Sequence, residues 1–139
     1  MTEARQVHDR YIAAFNAHDM DALLRELSPE GVTISPDCVT QGCEELASVI
    51  EEFWEAFPDV RTNVMESFDD GDTAIDELLM QGTHLGPYRT PGGRVVQATH
   101  RPISLRCFYL TTVENGLIVS LRLYFDQLQL RDQLGLPCD

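Results

Sequence analysis

Glu114-Asn115-Gly116-Leu117-Ile118-Val119-Ser120-Leu121-Arg122-Leu123-Tyr124-Phe125-Asp126-Gln127-Leu128-Gln129-Leu130-Arg131-Asp132-Gln133-Leu134-Gly135 runs a tight turn, an alternating strand and a short helix together without a break. Asn115-Gly116 suits a two-residue hairpin turn, whose central positions both need positive φ. From Val119 onward, Val119, Leu121, Leu123 and Phe125 fall on one face and Ser120, Arg122, Tyr124 and Asp126 on the other, the two-residue period of a strand. Gln127 to Leu134 reads as a helix that Gly135 stops. A carboxylate, Asp126, therefore stands where strand becomes helix.

Upstream, the pattern predicts three more antiparallel strands, near Arg61 to Phe68, Thr73 to His84 and Val95 to Val113, with Leu117 to Phe125 as the fourth. Turn chemistry separates them: Asp69-Asp70-Gly71-Asp72, Gly86-Pro87 with Thr90-Pro91-Gly92-Gly93, and Asn115-Gly116. The long third strand needs an irregularity, placed at His100-Arg101-Pro102 because proline cannot donate to a central ladder. Before the strands the period is helical. Val7, Tyr11 and Phe15 mark a helix from about Thr2 to His18, with Arg5, Asp9 and Arg10 on its outer side. Asp19 caps a second short helix that Ser28-Pro29-Glu30-Gly31 ends, and Val32 to Ser35 is a short strand. A third helix starts around Gly42, turns Leu46, Val49, Ile50, Phe53 and Phe57 inward, and stops at Pro58. Helices followed by a run of strands predict an α+β fold, with helices covering one face of a curved sheet.

The 139 residues read as a single domain, 1–139, and the hydrophobic share of 43% supports a real core. Twenty-three acidic and ten basic side chains give a formal charge of −13, which repels nucleic acid, and no basic run offsets it. No apolar stretch suggests a signal peptide or membrane span, so a cytoplasmic protein with no membrane partner is expected. Cys38, Cys43, Cys107 and Cys138 match no common zinc spacing and are expected as free thiols, Cys107 as a buried strand residue.

Several groups of residues, in order and at family spacing, carry a resemblance. They are Asn16-Ala17-His18-Asp19, Phe53-Trp54-Glu55-Ala56-Phe57-Pro58-Asp59, Gly82-Thr83-His84-Leu85-Gly86, Gly93-Arg94-Val95, Tyr124-Phe125-Asp126 and Leu134-Gly135-Leu136. Over nearly its full length the chain resembles the SnoaL-like polyketide cyclases of the nuclear-transport-factor-two-like superfamily. That resemblance implies a cone-shaped, curved mixed or antiparallel sheet that encloses a pocket with the N-terminal helices. It also implies intramolecular aldol closure of a polyketide ester without metal or organic cofactor, with Asp126 as acid/base. Gln97 to Ile103 and Thr90-Pro91-Gly92-Gly93-Arg94 depart from the family pattern.

From the residues alone, Asp126 is equally readable as the N-cap of the helix at Gln127. His84 and His100 are candidates for assisting proton transfer, or are loop histidines bonded to backbone, and contact between His100 and Asp126 is the pairing to look for. Tyr11, Phe15, Phe53, Trp54, Arg106 and Tyr124 are the candidate substrate-binding residues, the aromatic ones supplying surroundings that raise a carboxyl pKa. His8 and His18 are expected to be structural, His8 exposed on its helix. No local histidine motif indicates a metal. The mechanism requires the polar row of the last strand to face inward. Leu121, Leu123 and Phe125 would then form an outer apolar patch that pairs two copies into a homodimer. The expected partner is a hydrophobic small molecule. Alternative functions are an isomerase, hydratase or cofactorless hydroxylase on the same scaffold, a non-catalytic binder of hydrophobic small molecules, and an interaction module.

Overall fold

Thr2 opens the first helix of the computed structural model, which describes residues 1–137. Its hydroxyl accepts the Arg5 N–H at 3.1 Å, a cap for α1 (Glu3–Ala17). His18 ends α1 in the left-handed region at φ 54°, and Asp19 caps α2 (Met20–Arg25) through the Ala22 N–H. α3 (Gly42–Ala56) begins where Glu45 accepts the Gln41 N–H at 2.9 Å. Val7, Tyr11 and Phe15 are buried as their spacing predicts. Arg5 and His8, expected on the outer side of α1, are buried too, because a charged network described below receives them.

The strands are β1 (Leu27–Ile34), β2 (Val39–Gln41), β3 (Arg61–Asp70), β4 (Thr73–Thr83), β5 (Tyr88–Arg89), β6 (Val95–Val96), β7 (Pro102–Glu114) and β8 (Leu117–Tyr124). Six of them form a mixed sheet in the order β2-β1-β8-β7-β4-β3, parallel only between β1 and β8, while β5 and β6 make a separate hairpin. The predicted third strand is therefore two pieces, and the break falls at His100, whose φ is 61°. Asn115 and Gly116 adopt φ 53° and 76°, the turn their pairing predicts.

β1 is longer than predicted. Ser28-Pro29-Glu30-Gly31 lies inside it as a bulge, and pairing with β8 resumes at Val32. A side chain at Gly31 would meet the Ile118 carbonyl at 2.8 Å, so only glycine admits this approach of β1 to β8.

The two faces of β8 are the reverse of what the catalytic expectation required. Leu121 pairs with Thr111 and Leu123 with Tyr109, both residues of the inner row of β7, and Leu121 is buried. Arg122 and Tyr124 lie on the opposite, outer face. The driving force is burial of apolar side chains of this size, which stabilises by about 1.5–3 kcal/mol each. Arg122 on the outer face is half-buried, its Nε without a partner among the described residues. Val119 is displaced from the predicted row by a register shift, so that Ile118 below it and Leu121 above it are both buried.

Candidate active site

A cavity of about 80 Å³ lies between α1, α3 and the inner sheet face. Phe15, Ile50, Phe53, Met80, Leu105 and Phe125 make it largely apolar. Its polar groups come from two directions. Tyr11 of α1 and Tyr109 of β7 are buried with ring centroids 6.5 Å apart. Burial pushes both phenols above their usual pKa, and at Tyr109 the neighbouring Tyr11, Cys107 and Asp37 act in the same direction. Both therefore stay neutral donors, and neither phenol is hydrogen-bonded among the described residues. On the β1–β2 side stand Thr33, Thr40 and the turn Ser35–Cys38. Thr33 and Thr40 are partners in register, and their buried hydroxyls also lack partners. Ser35 donates to the Asp37 carboxylate at 2.6 Å and fixes this exposed aspartate at the rim.

Asp76 pairs in register with Tyr109 and anchors a buried network beside the cavity wall. Its carboxylate accepts from Arg5 at 2.7 Å and Ser67 at 2.8 Å, and lies 2.8 Å from His8 Nε2. The other nitrogen of His8 is 2.7 Å from the Thr111 hydroxyl. Burial alone would raise the Asp76 pKa, but the bonds from His8, Arg5 and Ser67 together outweigh it and lower it to about 2. His8, Asp9 and Asp76 have metal-like proximity, yet the Arg5 guanidinium donates to both carboxylates and is the cation of this cluster.

Of the expected substrate-binding residues, Tyr11, Phe15 and Phe53 line the cavity. Trp54 does not: it stacks on His18 at 4.6 Å and tilts against Phe15 at 5.8 Å. Arg106 projects from the outer face, 3.6 Å from Glu77, and Tyr124 is half exposed there.

Asp126 is the N-cap of α4 (Gln127–Gln133), its Oδ1 accepting from the Leu128 and Gln129 N–H groups at 2.9 and 3.3 Å. It is not among the residues lining the cavity, although the adjacent Phe125 is. His84 is fully buried outside the cavity lining, where its Nδ1 accepts the Thr99 N–H at 3.1 Å and its ring packs on Phe57 at 5.5 Å. Burial lowers its pKa. His100 is exposed, its N–H donates to the His84 carbonyl at 2.9 Å, and no hydrogen bond joins it to Asp126.

Tyr109, Thr33, Thr40 and Asp37 were not picked out by the sequence. Tyr109 had a signal, the inward row Ile103, Leu105, Cys107, Tyr109; Asp37 had none beyond its loop. Cys38, Cys43 and Cys107 are free thiols and Cys107 is buried, while Cys138 lies outside the described residues.

A second concavity, a groove of about 400 Å³, runs between the β5–β6 hairpin and α4, with Tyr88, Thr90, Arg94, Gln127, Leu130 and Arg131 in its walls. Burial, and secondarily Asp37, pushes the Tyr88 phenol up to about 12, against the opposing pull of Arg131.

This fold defines the class, a nuclear-transport-factor-two-like or ketosteroid-isomerase-like α+β domain with a cavity between its helices and the inner sheet face. Residues 5–134 match the model of the SnoaL-like polyketide cyclases, and the chain belongs to that family. No curated protein sequence matches it. Among solved structures, it is similar to AclR, a proposed hydroxylase of Streptomyces galilaeus, at 24% identity and TM-score 0.82, covering 97% of this chain and 98% of that one. TsrD of Streptomyces laurentii matches at 25% identity and TM-score 0.81, with 97% and 96% covered. IdmH, a proposed polyketide cyclase of Streptomyces antibioticus, matches at 22% identity and TM-score 0.80, with 97% and 100% covered. No helix among the described residues is long and apolar enough to cross a membrane.

Proposed function

We propose that the protein is a cytoplasmic enzyme catalysing proton abstraction next to a carbonyl and closure or isomerisation of the product, without metal or organic cofactor. The observation that carries this is the pair of buried, unpartnered phenols, Tyr11 and Tyr109, in an apolar cavity with a carboxylate, Asp37, at its rim. Asp37 takes the proton from the carbon acid, and the phenols donate to the enolate oxygen as charge develops on it. In ring closure the enolate carbon attacks a second carbonyl of the same molecule. The new alkoxide then takes a proton back from Asp37. Donors fixed in a water-poor cavity need no reorganisation when charge appears.

The carboxylate role thus moves from Asp126, whose bonds are those of a helix cap, to Asp37. The cavity of about 80 Å³ holds only the reacting part of a substrate, since pockets enclosing whole drug-sized ligands measure about 300–1,000 Å³.

The test is α-proton exchange and turnover of a panel of aromatic β-keto esters and acids in D₂O by metal-stripped protein. Asp37→Asn is expected to lose at least about a hundredfold, the scale of a lost general base. Tyr11→Phe is expected to lose about 10²–10³ in kcat. Folded Asp126→Asn keeps activity. The reverse pattern, activity lost in Asp126→Asn and retained in Asp37→Asn, would return the chemistry to the strand end.

A further inference from the structure

The groove between the β5–β6 hairpin and α4 is lined by basic, polar and apolar side chains. The chain carries 23 acidic and 10 basic side chains, yet the residues lining this groove include two arginines and no acid. Among the described residues neither Arg94 nor Arg131 reaches a carboxylate within salt-bridge distance. Arg131 donates twice to the Pro137 carbonyl, at 3.1 and 2.8 Å, which orients its guanidinium without neutralising it. Arg94 sits on the opposite, hairpin wall. Its backbone is pinned there, its N–H donating to the Thr90 hydroxyl and its carbonyl accepting the Thr90 N–H at 2.8 Å. Between the arginines the walls are apolar, with Leu130 buried and Leu128 exposed at the lip. An apolar groove edged by two guanidiniums fits an amphiphilic anion, because a fork of N–H donors matches a carboxylate.

The groove is close to the cavity. Phe125 lines the cavity and Gln127 the groove, with one residue between them. Tyr88, a wall of the groove, lies in the field of Asp37, which lines the cavity.

We propose that this groove is the carboxylate-binding extension of the cavity, and that the substrate is a free aromatic or aliphatic acid rather than an ester. This rests on the cavity being the reaction site, and it supplies the substrate volume that the cavity lacks. The acid end lies between Arg94 and Arg131 while the carbonyl end reaches the phenols.

The experiment is calorimetric titration with naphthalene-2-acetate and its methyl ester, which share an apolar body and differ in charge. Wild type is expected to bind the acid at least about tenfold tighter than the ester, the scale of a charge-assisted pair. Arg94→Gln should bring the ratio near one with ester affinity unchanged, and Arg94→Glu should reverse it. Among the described residues Arg94 makes only backbone hydrogen bonds, so these variants are expected to leave the fold intact. Equal binding of acid and ester by wild type, binding of neither, or a ratio that survives Arg94→Gln would each overturn the proposal. Tyr11→Phe should leave the ratio unchanged. Because the ratio is read without turnover, a failure of the proton-transfer reading and a failure of the groove proposal give separate results.

Discussion

Asp76 shows how a single charged residue is held inside this molecule. A buried carboxylate costs several kcal/mol unless its oxygens are occupied, and here Arg5, Ser67 and His8 occupy both. Its folded pKa of about 2 lies below the ordinary 3.8, so its contribution is fully present above pH 4 and is lost as pH falls through about 2. At neutral pH the contribution is about 2 kcal/mol. Urea unfolding of wild type and Asp76→Asn should therefore differ most above pH 5 and converge as pH falls toward 2; a difference independent of pH would show that the carboxylate is not ionised in the network. None of this was visible in the sequence. His8 and Arg5 read as outer-face residues because a helical period ranks side chains by polarity, and it cannot see a carboxylate arriving from a strand 71 positions away from Arg5.

At the level of elements, the residues that made the family legible have structural tasks in this molecule. The Asn16 amide bonds the Thr62 N–H and carbonyl and ties the end of α1 to β3. Asp59 accepts the Thr83 N–H and hydroxyl at 2.7 and 2.8 Å. Gly86 packs so tightly on the Glu55 carbonyl that a side chain has no room, while its N–H donates to the Ala56 carbonyl. Asp126 caps α4. Such motifs report the fold, which is why the helices and most of β3, β4, β7 and β8 were legible while the cavity's polar groups were not. Alternation likewise divides β8 into two faces without saying which is inside; that is decided by its neighbours, Thr33 and Tyr109, on other strands. The cap role has its own test. A seven-residue helix is marginal without its cap and packing. Asp126→Ala should cost about 1 kcal/mol in thermal unfolding and Asp126→Asn a few tenths, since both Asp and Asn accept from the first turn. An equal loss in both variants would mean that the charge, not the cap, is what matters there.

For the whole molecule, the outer sheet face carries large exposed apolar side chains. Phe68, Ile75 and Leu110 stand side by side in register across β3, β4 and β7, and Phe108 is opposite Tyr124. Phe68, Phe108 and Tyr124 are 49%, 42% and 50% exposed, an apolar surface interrupted by Glu77 and Arg122, which stand in register beside Phe108 and Leu110. These are not the residues expected to pair two copies, because Leu121, Leu123 and Phe125 turn inward, but a face of this composition can cover a second copy of itself about a two-fold axis. Association must overcome repulsion between two chains of formal charge −13, and salt screens that repulsion over a Debye length of about 8–10 Å near physiological strength. Light scattering should therefore find a dimer that tightens as salt rises from about 10 to 150 mM, the opposite of an interface held by ion pairs. Phe108→Glu should give a monomer at every salt concentration. Its side chain points away from the cavity, so the binding of naphthalene-2-acetate should survive in that monomer; loss of binding along with the dimer would mean that the second copy completes the site.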